Sequence, residues 1–182
     1  AGIQRGRAVG NADFLREYDP SHDRWLAIAR LRFVPDYQED RGATARRRRE
    51  YQRRLRRFLY AGSDAVMLEG VVERKSWLHH ALTDLMMLVW HGDSDAGARA
   101  AAMRDLARLE RELAEYDARL PADGSVRVAF ACARIDDKAA TSDRAGPRHL
   151  HELVGQVLAS SAELPLSRRD EFSVPAGASS GE

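Results

Sequence analysis

SDAVMLEGVVERKSWLHHALTDLMMLVWH, residues 63–91, is the stretch whose reading decides the fold. Wound at about 100° per residue, Met67, Leu68, Val71, Leu78, Leu82, Leu85, Met86 and Val89 project to one side. Glu69, Glu73, Ser76, His80, Asp84, Met87 and His91 fall opposite, spaced by threes and fours. The register runs unbroken through Lys75. Ser63 and Asp64 offer an N-terminal cap and Gly92 a stop. The pattern therefore predicts one helix, roughly 40 Å long. A strand over residues 66–72 competes with it, and Gly70 favours that strand.

Outward from this segment, Asp93-Ser94-Asp95 turns the chain into a helix over residues 95–119, ended by Pro121. Leu106, Leu109, Leu113, Tyr116 and Leu120 repeat by threes and fours, the seam of paired helices. A short turn between two helices makes an antiparallel hairpin. Residues 25–33 alternate, with Trp25, Ala27, Ala29, Leu31 and Phe33 on one side and Arg30 and Arg32 on the other; this predicts a strand. Val126, Val128, Phe130 and Cys132 predict a second, half-buried strand. Pro147 opens a last helix whose buried face is Leu150, Leu153, Val154, Val157 and Leu158. The expected fold class is α+β, predominantly helical: a long antiparallel helix hairpin with two further helices packed on a small sheet. Residues 1–20 read as a loosely ordered arm, 21–165 as one globular domain, and 166–182 as a disordered tail rich in small residues and proline.

Charge is unevenly placed. Nine arginines lie between Arg41 and Arg57, opposed there only by Glu50, so this stretch carries +8 in a chain of net charge +1. The remainder is therefore at −7. Residues 44–60 read as an amphipathic helix, with Tyr51, Leu55, Phe58 and Leu59 as its apolar stripe and Gly62 as its stop. Arg46, Arg47, Arg48 and Arg49 occupy its first turns, the wrong sign for the positive end of a helix dipole. With Arg53, Arg54, Arg56 and Arg57 they could grip the phosphates of a nucleic acid, since the guanidinium fork suits phosphate oxygens. Tyr51, Phe58 and Tyr60 are candidate stacking residues, although the first two fall on the core stripe. The blander reading is an exposed face neutralised within the fold by Glu69, Glu73, Asp105, Glu110, Glu112 or Asp117. Lysine occurs only at 75 and 138, so arginine is the default cation of this chain, as in a GC-rich bacterial genome, and its abundance counts for less.

Other chemistry is thinly signalled. His80 and Asp84, one turn apart on the expected long helix, could share a metal ion, but the sequence identifies no further ligands. A solvated polar strip explains the pair equally. His149 and His151 diverge, and Cys132 reads as an inert buried thiol. Gly177-Ala178-Ser179-Ser180-Gly181 matches the letters of a nucleophile elbow but has neither the strand nor the helix that makes one. No phosphate-binding glycine loop and no CxxC is present. One cysteine excludes an internal disulfide, and no apolar run is long enough to span a bilayer. The N-terminal residues lack the apolar core of a secretory signal. A cytoplasmic location is expected, with no membrane partner and no cofactor. The leading expectation is a non-catalytic helical domain for protein–protein contact, as an oligomer or with a protein partner, through Trp77, Met87 and Trp90 at the edge of the polar strip. Nucleic-acid binding through the arginine helix comes second, and an enzyme using His80 and Asp84 third.

Overall fold

A sheet, not a helix hairpin, organises the chain. The computed structural model describes residues 8–10, 25–34, 41–69, 84–118, 125–134, 158–159 and 161–173. Six strands are ordered β1-β3-β4-β2-β5-β6. They are β1 (Ala8–Gly10), β2 (Trp25–Val34), β3 (Val66–Glu69), β4 (Asp84–Gly92), β5 (Ser125–Arg134) and β6 (Glu163–Pro165). Helix α1 (Arg41–Tyr60) follows β2 and α2 (Asp95–Asp117) follows β4. β2 is central, antiparallel to β4 from Trp25↔Gly92 to Arg32↔Asp84 and to β5 from Trp25↔Arg134 to Val34↔Ser125. β3 pairs antiparallel with β4, β6 antiparallel with β5, and β1 parallel with β3. The order β2-α1-β3-β4-α2-β5 is the split β-α-β arrangement, in which each helix bridges parallel strands separated by a third.

The expected single helix over residues 63–91 is therefore corrected: Val66–Glu69 and Asp84–Gly92 are strands. The reason lies in β4. Leu85 to Trp90 are all buried, between 0 and 6 % exposed, because β4 is flanked by β3 and β2 and covered on both faces. A strand buried on both faces reads as a continuous apolar run, and such a run has no period of two to betray it. A register shift after Leu31, where Met86 pairs with Leu31 but Asp84 with Arg32, further blurs alternation. The predicted strands at 25–33 and 126–132 and the helices at 44–60 and 95–119 match β2, β5, α1 and α2 to within a few residues. The small sheet is instead the largest element of the fold.

Both helices cover one sheet face. α1 turns Tyr51, Leu55, Phe58 and Leu59 inward, and α2 turns Ala98, Ala102, Leu106, Leu109 and Leu113 inward. These meet Ala27, Ala29, Leu31 and Phe33 of β2, Met86, Leu88 and Trp90 of β4, and Val126, Val128 and Phe130 of β5. Each large side chain buried there contributes about 1.5–3 kcal/mol. The leucine seam read from α2 faces the sheet, since a stripe spaced by threes and fours suits a sheet as well as a helix. Ser94 caps α2 by accepting from the Gly97 N–H at 3.1 Å. Gly62, at φ +92°, turns the chain out of α1 while the Ser63 N–H reaches the Leu59 carbonyl at 3.4 Å.

The other sheet face holds Leu26, Ile28, Met87, Val89 and Ala129, all at most 4 % exposed. Towards one end it becomes ionic: Arg30 and Arg32 both reach Glu163 Oε1, at 3.3 and 3.2 Å, with Arg127 opposite Arg32 in register. Beyond β6, Leu166–Ser173 forms a 3-10 segment with Leu166 and Phe172 buried. Phe172 stacks on Phe130 at 5.5 Å, Arg169 pairs with Glu110, and Arg99 donates to the Phe172 carbonyl at 2.9 Å. Of the last expected helix, Leu158 and Ala159 are helical; its earlier residues lie outside the described ones.

Candidate functional site

The stripe that packs α1 on the sheet also fixes what the helix shows to solvent. With Tyr51, Leu55, Phe58 and Leu59 inward, the opposite arc of roughly 100° receives Arg46, Arg49, Arg53, Arg56, Arg57 and Tyr60. All six are exposed. Arg54 lies on a flank, and Arg47 and Arg48 continue the line of the apolar stripe towards the start of α1; all three are half-buried. Arg54 stands 4.5 Å from the Tyr116 ring centre and 3.2 Å from Glu50 Oε1, and Arg47 lies 5.8 Å from the Phe33 ring centre. Arg53 reaches Glu50 Oε2 at 2.5 Å, but its side chain is 68 % exposed, so that pair is worth little. An open groove of about 640 Å³ runs along this side, lined by Arg46, Arg47, Arg49, Glu50, Arg53 and Tyr116.

Of the acids proposed as internal neutralisers, Asp105 and Glu110 serve elsewhere. Asp105 is buried and accepts from Ser63 Oγ, the Asp64 N–H and Trp90 Nε1. Glu110 holds Arg169. Asp117 accepts from the Tyr51 hydroxyl beneath the groove, near Arg47 and Arg54. The side chains of Glu69 and Glu73 lie outside the described residues. Among the described residues no ion pair reaches Arg46, Arg49, Arg56 or Arg57. α1 begins at Arg41, so Arg46 to Arg49 stand beyond its first turn, which holds no acid; Glu39 and Asp40, immediately before it, lie outside the described residues.

Titration at this site is unfavourable to acid–base work. Burial pushes the Tyr51 hydroxyl well above its usual value, reinforced by the Asp117 carboxylate. Burial also raises Asp117, against the pull of the Tyr51 hydrogen bond and of Arg47 and Arg54, and it raises Tyr116, with Glu50 adding. The outward groups are guanidinium ions, which stay protonated and donate only. The guanidinium fork suits phosphate or carboxylate oxygens.

The remaining candidates are dispersed. Trp77 and His80 lie outside the described residues. Asp84 opens a strand opposite Arg32, so the helical spacing that joined it to His80 is gone. Among the described residues no cluster of three or more His, Cys, Asp or Glu could hold a metal ion, and no helix is long and apolar enough to cross a membrane. Met87 and Trp90, expected at a partner-facing edge, are 4 and 0 % exposed: Met87 packs on the second sheet face and the Trp90 indole donates to Asp105 at 2.8 Å. Cys132 is half-buried and its thiol pushed up to about 12, chiefly by burial, so it is a poor nucleophile at neutral pH. The described side chains of the sheet offer no platform for stacked bases either. Its second face carries aliphatic side chains, arginines and His91, with no Phe, Tyr or Trp among the described residues. Sequence reading missed the Asp105 centre; a lone acid on the apolar stripe of α2, four residues from Ala101 and one from Leu106, was its only signal.

No protein-family model, curated protein or solved structure matches this chain.

Proposed function

We propose that this protein binds nucleic acid through its phosphate backbone, using the outward face of α1. One observation carries the reading: Arg46, Arg49, Arg53, Arg56 and Arg57 share one exposed helix face, and among the described residues the ion pair that meets this row is Glu50 with Arg53. A row of five guanidinium groups along about 16 Å of helix, with Glu50 paired to one of them, matches a polyanion better than a point ligand. The assembly reading rested on a long apolar helix, a leucine seam and Trp77, Met87 and Trp90 at the edge of its polar strip; residues 66–69 and 84–92 are strands, the seam faces the sheet, Met87 and Trp90 are buried, and Trp77 lies outside the described residues.

Binding of this kind releases counterions, so its logarithm falls linearly with the logarithm of salt, by about 0.9 per phosphate on a duplex and about 0.7 on a single strand. Four to five contacts give a slope of about −3 to −4.5. Titration of a fluorescently labelled oligonucleotide at 50 and 200 mM salt measures it. The quadruple variant Arg46→Ala, Arg49→Ala, Arg53→Ala, Arg56→Ala should lose most of the affinity and flatten the slope. Absence of binding by the wild-type chain at 50 mM salt would refute the reading.

A further inference from the structure

We infer that the strand recognised is unpaired, and that Tyr60 stacks on one of its bases at the end of the arginine row. The inference rests on the reading of α1 as a phosphate-binding face. Tyr60 is 62 % exposed, and it is the exposed large apolar side chain among the described residues. Every other described aromatic of α1 is turned into the core: Tyr51 is 0 % and Phe58 1 % exposed. Tyr60 closes the outward arc, three and four residues after Arg57 and Arg56, so its ring shares their side of the helix. It is also the last residue of α1, where Gly62 turns the chain away and the Leu59 side chain beside it is anchored in the core.

The partner class follows from what each nucleic acid shows to such a surface. A duplex seals its base faces inside the stack and offers a ring beside its backbone only base edges and sugar. A single strand offers base faces next to its phosphates, and an aromatic ring at the rim of a basic track is the usual device for taking one up, whatever the base. From Arg46 to Tyr60 the row covers about 21 Å along the helix axis, roughly six nucleotides at the stacked rise of 3.4 Å. The contacts named are phosphates and one base face, so no sequence preference is expected.

The test uses the full chain with a labelled 12-nucleotide single strand and a blunt duplex of the same sequence, at 50 mM salt. The single strand is expected to bind several-fold tighter. Tyr60→Ala should weaken single-strand binding by roughly 5- to 150-fold, the range for loss of one aromatic stack, and leave the salt slope and duplex binding as they were. Tyr60→Phe should keep wild-type affinity, and far-ultraviolet circular dichroism should show α1 intact in both. Single-strand affinity within twofold of wild type in Tyr60→Ala, or a duplex bound as tightly as the single strand, would overturn the inference while the salt slope and the arginine variant still upheld backbone binding. If neither nucleic acid binds at 50 mM salt, the reading of α1 and this inference fail together.

Discussion

Replacing Asp105 by alanine removes the acceptor on which three donors converge. Asp105 Oδ2 accepts from Ser63 Oγ at 2.8 Å, the Asp64 N–H at 2.9 Å and Trp90 Nε1 at 2.8 Å. The carboxylate thereby joins α2 to β4 and to the turn that follows α1. The donors differ in what they could find instead. Asp64 is half-exposed and open to water, and the Ser63 hydroxyl can rotate while still accepting from the Ala65 N–H at 3.0 Å. The Trp90 indole is fully buried and has no alternative there. A buried donor left without its acceptor costs about 1–3 kcal/mol. With the Trp90 donor stranded and the Ser63 and Asp64 donors partly satisfied, the expected loss is about 3–5 kcal/mol, a large share of a total stability of about 5–15 kcal/mol. Asp105→Asn keeps the shape and one acceptor oxygen, so about half that loss is expected. Urea unfolding followed by tryptophan fluorescence reads the difference; at about 2 kcal/mol per molar urea the Asp105→Ala midpoint falls by about 1.5–2.5 M. Adding Trp90→Phe to Asp105→Ala removes the stranded donor, so the double variant should be more stable than the two separate losses together imply. A midpoint within about 0.5 M of wild type, or strict additivity in the cycle, would show that the convergence on Asp105 is not what holds this corner.

Two further outcomes follow from the core and from the ionic end of the sheet. Tyr51 and Tyr116 are held protonated in the folded chain above the ordinary value of 10.0, so above pH 10 the folded state binds more protons than the unfolded one. Stability is therefore fully present below pH 10 and falls as the pH rises past it, by up to about 1.4 kcal/mol per pH unit for each group. Tyr51→Phe should lessen that fall, and absorbance at 295 nm should show fewer tyrosines ionising near pH 10 before unfolding than after; equal numbers would refute the burial argument. Glu163→Ala leaves Arg30 and Arg32 without their shared carboxylate, at side-chain exposures of 32 and 19 %, and should cost about 1–3 kcal/mol in urea unfolding, whereas no measurable loss would mean that water replaces it freely.

Legibility in the sequence followed the number of faces an element buries. α1 and α2 each bury one stripe and leave the rest wet, so Tyr51 to Leu59 and Ala98 to Leu113 mark them clearly. β5 alternates Val126 and Val128 against Arg127 and is equally clear. β4 buries Leu85 to Trp90 on both sides, which erases alternation, and Leu85, Met86 and Val89 then join the apolar side of a helical wheel by default. That single misreading created the hairpin, the polar strip of His80 and Asp84, and the exposed edge of Met87 and Trp90. The arginine face was legible because a helical wheel is a local property. Whether acids meet it was not, because Asp105 finds Trp90 and Glu110 finds Arg169 only through tertiary packing.

The outward row on α1 also sets how ionic strength acts on the protein itself. Arg46, Arg49, Arg53 and Arg56 follow one another at spacings of three and four, where like charges repel by about 0.2–0.5 kcal/mol a pair. Dissolved salt screens that repulsion, so the free protein should melt at a higher temperature as salt is added. On the proposed reading of α1, the same salt loosens a bound polyanion, which itself relieves the repulsion and raises the melting point by mass action. If α1 does hold a polyanion, free and bound chain should respond to electrolyte in opposite senses, with melting temperatures that converge as the medium becomes more saline.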